Sequence, residues 1–177
     1  NGINNETKAR ALMALAFIDH VVLDADALTV FENNPEELFI DCYPHTILTP
    51  HEGEFKKIFG KEIDEINDRV LKTKEASIKS NTTVVLKGAN TIIASPSGDV
   101  VINKSSATYL ATAGSGDVLA GIITSLVGKN KMNAFDAACA GVWLHSEIGT
   151  ILGAGMIAED IIDLIPVTVK KLLKMRQ

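Results

Sequence analysis

Ala111-Thr112-Ala113-Gly114-Ser115-Gly116-Asp117-Val118-Leu119-Ala120-Gly121 sets an aspartate on a glycine-flanked turn that opens an apolar helix. The free backbone N–H groups of such a turn, with the positive end of the helix dipole, form an anion site. A carboxylate at its lip can take a proton from a hydroxyl while the amides hold phosphate oxygens. Phosphoryl transfer to an alcohol needs that pairing. No Gly-Lys-Ser/Thr follows at Walker A spacing, and Leu119 stands where a dinucleotide fingerprint needs its third glycine. A helix cap on Ser115 or Asp117 accounts for one polar residue, but not for two glycines after a long uncharged loop.

Outward from this turn, strands and helices alternate. Asn4 or Asn5 caps a first helix that runs to about Asp19, and Val21 to Asp24 is a short buried strand ending in acids. Thr46 to Thr49 makes a second strand. Thr49-Pro50-His51-Glu52 reads as a capping box with proline at the first helical position. A polar helix is predicted over 62–79, with Ile63, Ile66, Val70 and Ser77 facing inward. Thr82 to Lys87 forms the next strand. Two more, 91–94 and 100–103, flank the turn Pro96-Ser97-Gly98-Asp99 and read as an antiparallel hairpin toward a sheet edge. Helices are predicted over 117–127 and 134–149, rich in small residues for close packing. A last one spans 158–174, with Pro166 as a kink.

The fold class is therefore α/β: a mostly parallel sheet with helices on both faces and an antiparallel hairpin toward one edge. In such sheets ligands bind beyond the carboxyl ends of the strands. Asp24 and Asp26, His51, Lys87-Gly88 and the Gly114–Asp117 turn all fall there.

The chain has 177 residues, 46% apolar and 22% charged, with a net charge of −5 and a pI near 5.4, as for one globular domain. That charge argues against a nucleic-acid surface, and the basic group Lys170, Lys171, Lys174 and Arg176 complements a helix C-terminus. Cys42 and Cys139 lack metal-type spacing and read as buried thiols of a reducing compartment. No signal peptide opens the chain, and the weakly charged stretch 105–128 is interrupted by Asp117, so no membrane span is expected.

Single residues leave alternatives open. His51 reads equally as a crevice residue or as an ordinary histidine; Phe55 stands where a zinc helix needs a second histidine. Lys87-Gly88-Ala89-Asn90-Thr91 either lies along a nucleotide, with Gly88 allowing close approach, or is a plain tight turn. Asp24 and Asp26 bind a ligand or Mg²⁺-coordinated water, or cap the next segment. His20, His45 and His145 read as structural.

Four elements occur in one order: Val22-Leu23-Asp24-Ala25-Asp26-Ala27-Leu28, Leu48-Thr49-Pro50-His51-Glu52-Gly53-Glu54-Phe55, Val85-Leu86-Lys87-Gly88 with Thr91, and Ala111 to Gly121. Over most of the chain this set resembles the ADP- or ATP-dependent NAD(P)H-hydrate dehydratases of the ribokinase-like superfamily. The Gly-Ser-Gly-Asp element points to the superfamily, and the Asp-Ala-Asp and Thr-Pro-His-x-Gly-Glu elements to the dehydratases. The resemblance implies a ribokinase-like fold and a cytoplasmic lyase that restores NADH or NADPH after hydration of the nicotinamide ring. A nucleotide phosphate passes to the ring hydroxyl and is then eliminated, leaving AMP and phosphate when ADP is used. It implies Asp117 as the base on that hydroxyl, and Gly2, His51 and Asp117 as substrate contacts. Lys87, Gly88, Ala89, Asn90 and Thr91, with Gly114, Ser115 and Gly116, hold the nucleotide. The His51 motif favours ADP over ATP, and Mg²⁺ shares the phosphoryl charge.

Family members carry further sequence before the region matching Asn1-Gly2-Ile3, so the chain is expected to be a C-terminal portion of the domain. Thr108-Tyr109-Leu110 replaces the Pro-Gly-Met usually found before Ala-Thr. A long unpaired edge on a partial sheet favours a homo-oligomer. Two other readings stay open: a small-molecule kinase of the same superfamily, and a catalytically idle nucleotide-binding fragment.

Overall fold

The computed structural model describes residues 2–104 and 108–174; Asn1 and Arg176, both named above, lie outside them. Helix α1 (Asn5–Phe17) starts where Asn4 Oδ1 accepts the Thr7 N–H at 2.9 Å. Strand β1 (Val22–Leu23), helices α2 (Asp26–Thr29) and α3 (Pro35–Ile40), and strand β2 (Ile47–Leu48) follow. Next come α4 (Glu52–Asp64), α5 (Arg69–Ser80), and strands β3 (Thr83–Leu86), β4 (Asn90–Ala94) and β5 (Val100–Lys104). A 3₁₀ turn (Thr108–Leu110) leads into α6 (Ser115–Gly128), α7 (Ala134–Leu152) and α8 (Ala158–Lys174).

The strands form one sheet in the order β1-β2-β3-β4-β5. β1, β2 and β3 are parallel, in the register Leu23↔Leu48↔Val84. β4 and β5 extend the sheet as the antiparallel hairpin expected from the Pro96–Asp99 turn. Alternation along the strands sorts side chains to two faces. Leu23, Leu48, Val84 and Leu86 pack with Phe31, Phe55, Ile58 and Phe59 on one face. Ile47, Val85 and Ile93 pack with Leu119, Ile123, Ala138 and Val142 of α6 and α7 on the other. Helices therefore cover both faces, and β3 is buried along its whole length.

Small residues let α6 and α7 approach. A Cβ added at Gly141 would lie 2.6 Å from Ile123 Cγ1, and one at Gly149 would lie 2.6 Å from Leu110 Cγ. α8 runs as one helix with Pro166 inside it, acid-first at Glu159 and Asp160 and base-last at Lys171 and Lys174. None of the described helices is long and apolar enough to cross a membrane.

The helix expected over 62–79 is corrected. α4 ends at Asp64, after a break at Gly60 (φ 73°), and α5 starts afresh at Arg69. Asp68 Oδ1 caps it, accepting from Val70 N at 2.8 Å and Leu71 N at 3.2 Å. The buried face of α5 is polar: Thr73, Ser77 and Ser80 stand inward, Ser77 Oγ donating to the carbonyls of Thr82 and Ala94. Of this face the sequence reading placed only Ser77 inward, because hydroxyls satisfied by backbone carbonyls bury as readily as small hydrophobes but leave no apolar periodicity.

Candidate functional site

The carboxyl ends of the three parallel strands meet the start of α6. Beyond β2, Thr49 is buried and Pro50 O accepts the Lys87 N–H at 2.9 Å, so the parallel pairing of β2 with β3 continues to His51 and Lys87. The expected Thr49–Glu52 capping box is not formed. His51 is the N-cap, and Pro50 precedes the helix. His51 Nδ1 accepts from Gly53 N at 3.0 Å and Glu54 N at 3.2 Å, while Glu54 Oε2 accepts from His51 N at 2.8 Å. An accepting Nδ1 places the ring proton on Nε2, which lies 3.3 Å from Glu54 Oε1. Nδ1 is thus engaged by the residue's own helix, and the ring is exposed.

At the end of β3, Lys87 Nζ pairs with Asp24 Oδ1 at 2.6 Å and lies 3.9 Å from Glu54 Oε2. Asp24 is therefore an ion-pair partner at the tip of β1. Asp26 sits in the first turn of α2, and its Oδ2 accepts the Gly2 N–H at 2.8 Å. A Cβ on Gly116 would lie 3.6 Å from both Asp24 Oδ2 and Lys87 Nζ, so the ion pair stands directly against the α6 turn.

That turn needs its first glycine: Gly114, the N-cap of α6, has φ 81°, in the left-handed region. No side chain caps this helix. Ser115 N donates to Thr112 O and Val118 N to Gly114 O, which leaves the Gly116 and Asp117 amides for a ligand among the described residues. The cap reading of Ser115 or Asp117 is thereby set aside, and the unpaired amides stand at the positive end of a 14-residue helix.

A cavity of about 640 Å³ opens in front of these groups, within the roughly 300–1,000 Å³ usual for small-molecule sites. His51, Lys87, Gly88, Ala89, Thr91, Ser115 and Gly116 line it. Asn90, Gly114 and Asp117 flank that lining in sequence without belonging to it, and Gly2 lies outside it. Asp117 is exposed, one residue past Gly116 in the first turn of α6. A second concavity of about 380 Å³ lies at the other end of β3, around Asn81, Thr83, Ser95 and Pro96. No ionisable side chain lines it, so it offers no acid, base or charge.

Reading the sequence missed the apolar wall, Leu110, Leu119 and Val142, together with His145 and Ser146. Val142, His145 and Ser146 are spaced i, i+3, i+4 on α7, which puts them on one helix face. His145 Nε2 meets Ser115 Oγ at 3.0 Å, both residues buried. Burial pushes the imidazole down to about 4; the Ser115 backbone opposes this and the Lys87 charge adds to it. The ring is neutral at pH 7.

A histidine held below its ordinary 6.5 takes up its proton first in the unfolded chain. Stability is complete above pH 6.5 and falls as the pH drops toward 4. Between pH 7 and pH 5 the expected loss from this group is ~2 kcal/mol. Urea midpoints at the two pH values measure it, and His145→Gln should flatten that slope. A variant with the wild-type slope would assign the acid sensitivity elsewhere.

The cysteines do not compete as nucleophiles. Burial, with Asp41 adding, raises Cys42 to about 12; burial, with Asp136 adding, raises Cys139 to about 11.

A family model described as NAD(P)H-hydrate dehydratase matches residues 1–166. The ADP-dependent (S)-NAD(P)H-hydrate dehydratase of Neisseria meningitidis serogroup B is 40% identical over 150 residues, 80% of this chain and 50% of that protein. A bifunctional NAD(P)H-hydrate repair enzyme of Gloeobacter violaceus is 41% identical over 134 residues, 76% of this chain and 26% of that protein. The chain thus spans half the first relative and about a quarter of the second. Among solved structures, the ADP/ATP-dependent NAD(P)H-hydrate dehydratase of Bacillus subtilis, co-crystallised with ATP/Mg²⁺ and soaked with CoA, superposes with a TM-score of 0.72. It is 31% identical, over 86% of this chain and 56% of that one. A ribokinase-like superfamily protein of Enterococcus faecalis gives a TM-score of 0.80 at 24% identity over 96% of this chain and 60% of that one, which speaks for the fold alone.

Proposed function

The chain belongs to the NAD(P)H-hydrate dehydratase family, and on that footing we propose that it carries the catalytic half of a nucleotide-dependent dehydration restoring NADH or NADPH from the hydrated forms. The observation that carries the reading is the uncapped start of α6, opening beside a cavity large enough for a nucleotide and lined by Lys87, Gly88, Ala89 and Thr91. ADP is the phosphoryl donor in this reading. Its phosphates meet the Gly116 and Asp117 amides, and its remainder follows the Lys87–Thr91 segment.

Asp117 takes the proton of the ring hydroxyl as that oxygen attacks the terminal phosphorus and AMP departs. Phosphate, a far better leaving group than hydroxide, then leaves the ring carbon with the C–O electron pair, the adjacent ring carbon gives up a proton to water, and the electrons of that C–H bond restore the double bond. His51 serves as a contact for the dinucleotide through its exposed ring, whose Nδ1 is committed to the α4 cap. Gly2, tied to Asp26 in the first turn of α2, extends the substrate side. Among the described residues no three His, Cys, Asp or Glu side chains gather as a metal cage. Mg²⁺ would therefore be held by nucleotide phosphates and water, where it supplies charge neutralisation. The reading keeps a homo-oligomer, because Val101 and Ile102 stand exposed on β5 at the sheet edge.

The test uses protein expressed from its complete reading frame. Hydrated NADH with ADP and Mg²⁺ should regain the absorbance of reduced nicotinamide, releasing one AMP and one phosphate per ring restored. A stable phosphorylated product in place of free phosphate would make the protein a kinase, and absence of both products would reject the phosphoryl-transfer reading.

A further inference from the structure

Arg69, at the first position of α5, touches both sides of the cavity rim from behind. Its Nε donates to Glu52 Oε1 at 2.7 Å, the residue directly after the His51 cap. Its Nη1 donates to Asn90 O at 2.7 Å, on the far side of the Lys87–Thr91 segment. Its Nη2 is buried with no hydrogen-bond partner among the described residues, and a Cβ added to Gly88 would lie only 2.7 Å from it. The Nη2 end of the guanidinium therefore stands against Gly88, in space that any side chain at 88 would take. Lys72 Nζ grips the second Glu52 oxygen at 2.7 Å. Burial works against ionisation of Glu52, but hydrogen bonds from Lys72 and Arg69 outweigh it and hold the carboxyl below its usual range. The bridge is thus charged at neutral pH.

Within the segment itself, the described side-chain bonding is confined to Thr91 Oγ1 with Gly88. We propose that Arg69 is a positioning residue: it fastens the Lys87–Thr91 segment to the His51 turn and thereby sets affinity for the adenine nucleotide. The nucleotide half of this statement rests on the function proposed above; the fastening does not. A planar fork can reach Glu52 and Asn90 O together, whereas one ammonium cannot, so lysine is no substitute here.

The experiment compares wild type with Arg69→Ala and Arg69→Lys, measuring ¹⁵N order parameters without ligand, ADP affinity and steady-state kinetics. In Arg69→Ala the order parameters of Gly88 and Ala89, between the end of β3 and the start of β4, should fall from ~0.85 to below ~0.6. ADP should bind ~10-fold more weakly, with kcat at saturating ADP within about twofold of wild type. Arg69→Lys should recover less than half of the affinity. Folding is retained, because Lys72 still holds Glu52 and the buried face of α5 is untouched. Gly88→Ala, which displaces the guanidinium from the other side, should weaken ADP similarly, and the double variant should be no worse than either alone. Unchanged order parameters in Arg69→Ala would overturn the proposal, as would unchanged ADP affinity in a loosened segment. A segment that loosens in a protein that binds no ADP even as wild type would uphold the fastening and reject the nucleotide reading.

Discussion

Asp117→Asn is expected to lower turnover about 10³-fold, in the middle of the 10²–10⁴ range for loss of a general base. The amide matches the carboxylate in shape and keeps its place in the first turn of α6, so the helix start is preserved. It cannot accept the hydroxyl proton at neutral pH. Phosphoryl transfer to a neutral alcohol then proceeds without a base, while the Gly116 and Asp117 amides remain free for phosphate. ADP affinity should therefore hold or rise, because a like charge beside the anion site has been removed. Steady-state rates on hydrated NADH and equilibrium binding of ADP separate the two effects. Turnover within about threefold of wild type would remove Asp117 from the mechanism.

Lys87→Met carries the largest expected loss of stability. Its ammonium sits 2.6 Å from Asp24 Oδ1, with side-chain exposures of 20% and 12%, and Glu54 is a second carboxylate 3.9 Å away. Removing the cation leaves two carboxylates facing one vacated position at low exposure. Breaking a fully buried pair costs about 3–5 kcal/mol; the residual exposure here puts the expectation at the lower end, ~3 kcal/mol. For a domain of this size that is a fall in Tm of roughly 6–12 °C. Asp24→Asn added to Lys87→Met should restore at least half of the loss, since the stranded charge and not the missing packing is the main cost. No recovery in the double variant would place the loss in packing around the lysine stem.

The accuracy of the sequence reading tracks the range of the forces involved. α7 and α8 announce themselves by long apolar periodicity, and α8 by Glu159 and Asp160 at one end and Lys174 at the other; local charge and caps decide such helices. The β4–β5 hairpin is written in Pro96-Ser97-Gly98-Asp99, because turn chemistry is local too. α2 and α3, of four and six residues, carry too little periodicity to be legible. The start of α4 was legible in Thr49-Pro50-His51-Glu52, but its cap is His51 and not Thr49, and its extent was hidden because Gly60 interrupts the pattern. The reciprocal bonds between His51 and Glu54 decide for His51.

At the site, Gly114-Ser115-Gly116, His51 and Lys87–Thr91 were legible because each is a local backbone motif. His145 and Arg69 were not. His145 looks like any histidine on an apolar helix until α6 is packed against α7 and Ser115 arrives at its Nε2. Arg69 looks like a surface arginine until α5 folds back to bring it against Gly88.

By itself the order of residues determined an α/β chain whose strand tips hold the polar groups and whose glycine turn opens a helix, since backbone geometry, caps and periodicity act over a few positions. Tertiary structure alone decided who partners whom: Asp24 with Lys87, His145 with Ser115, Arg69 with Asn90 and Glu52. Those pairs join residues far apart in the chain, and their energies depend on burial and on distances of a few ångströms that exist only once the layers have closed.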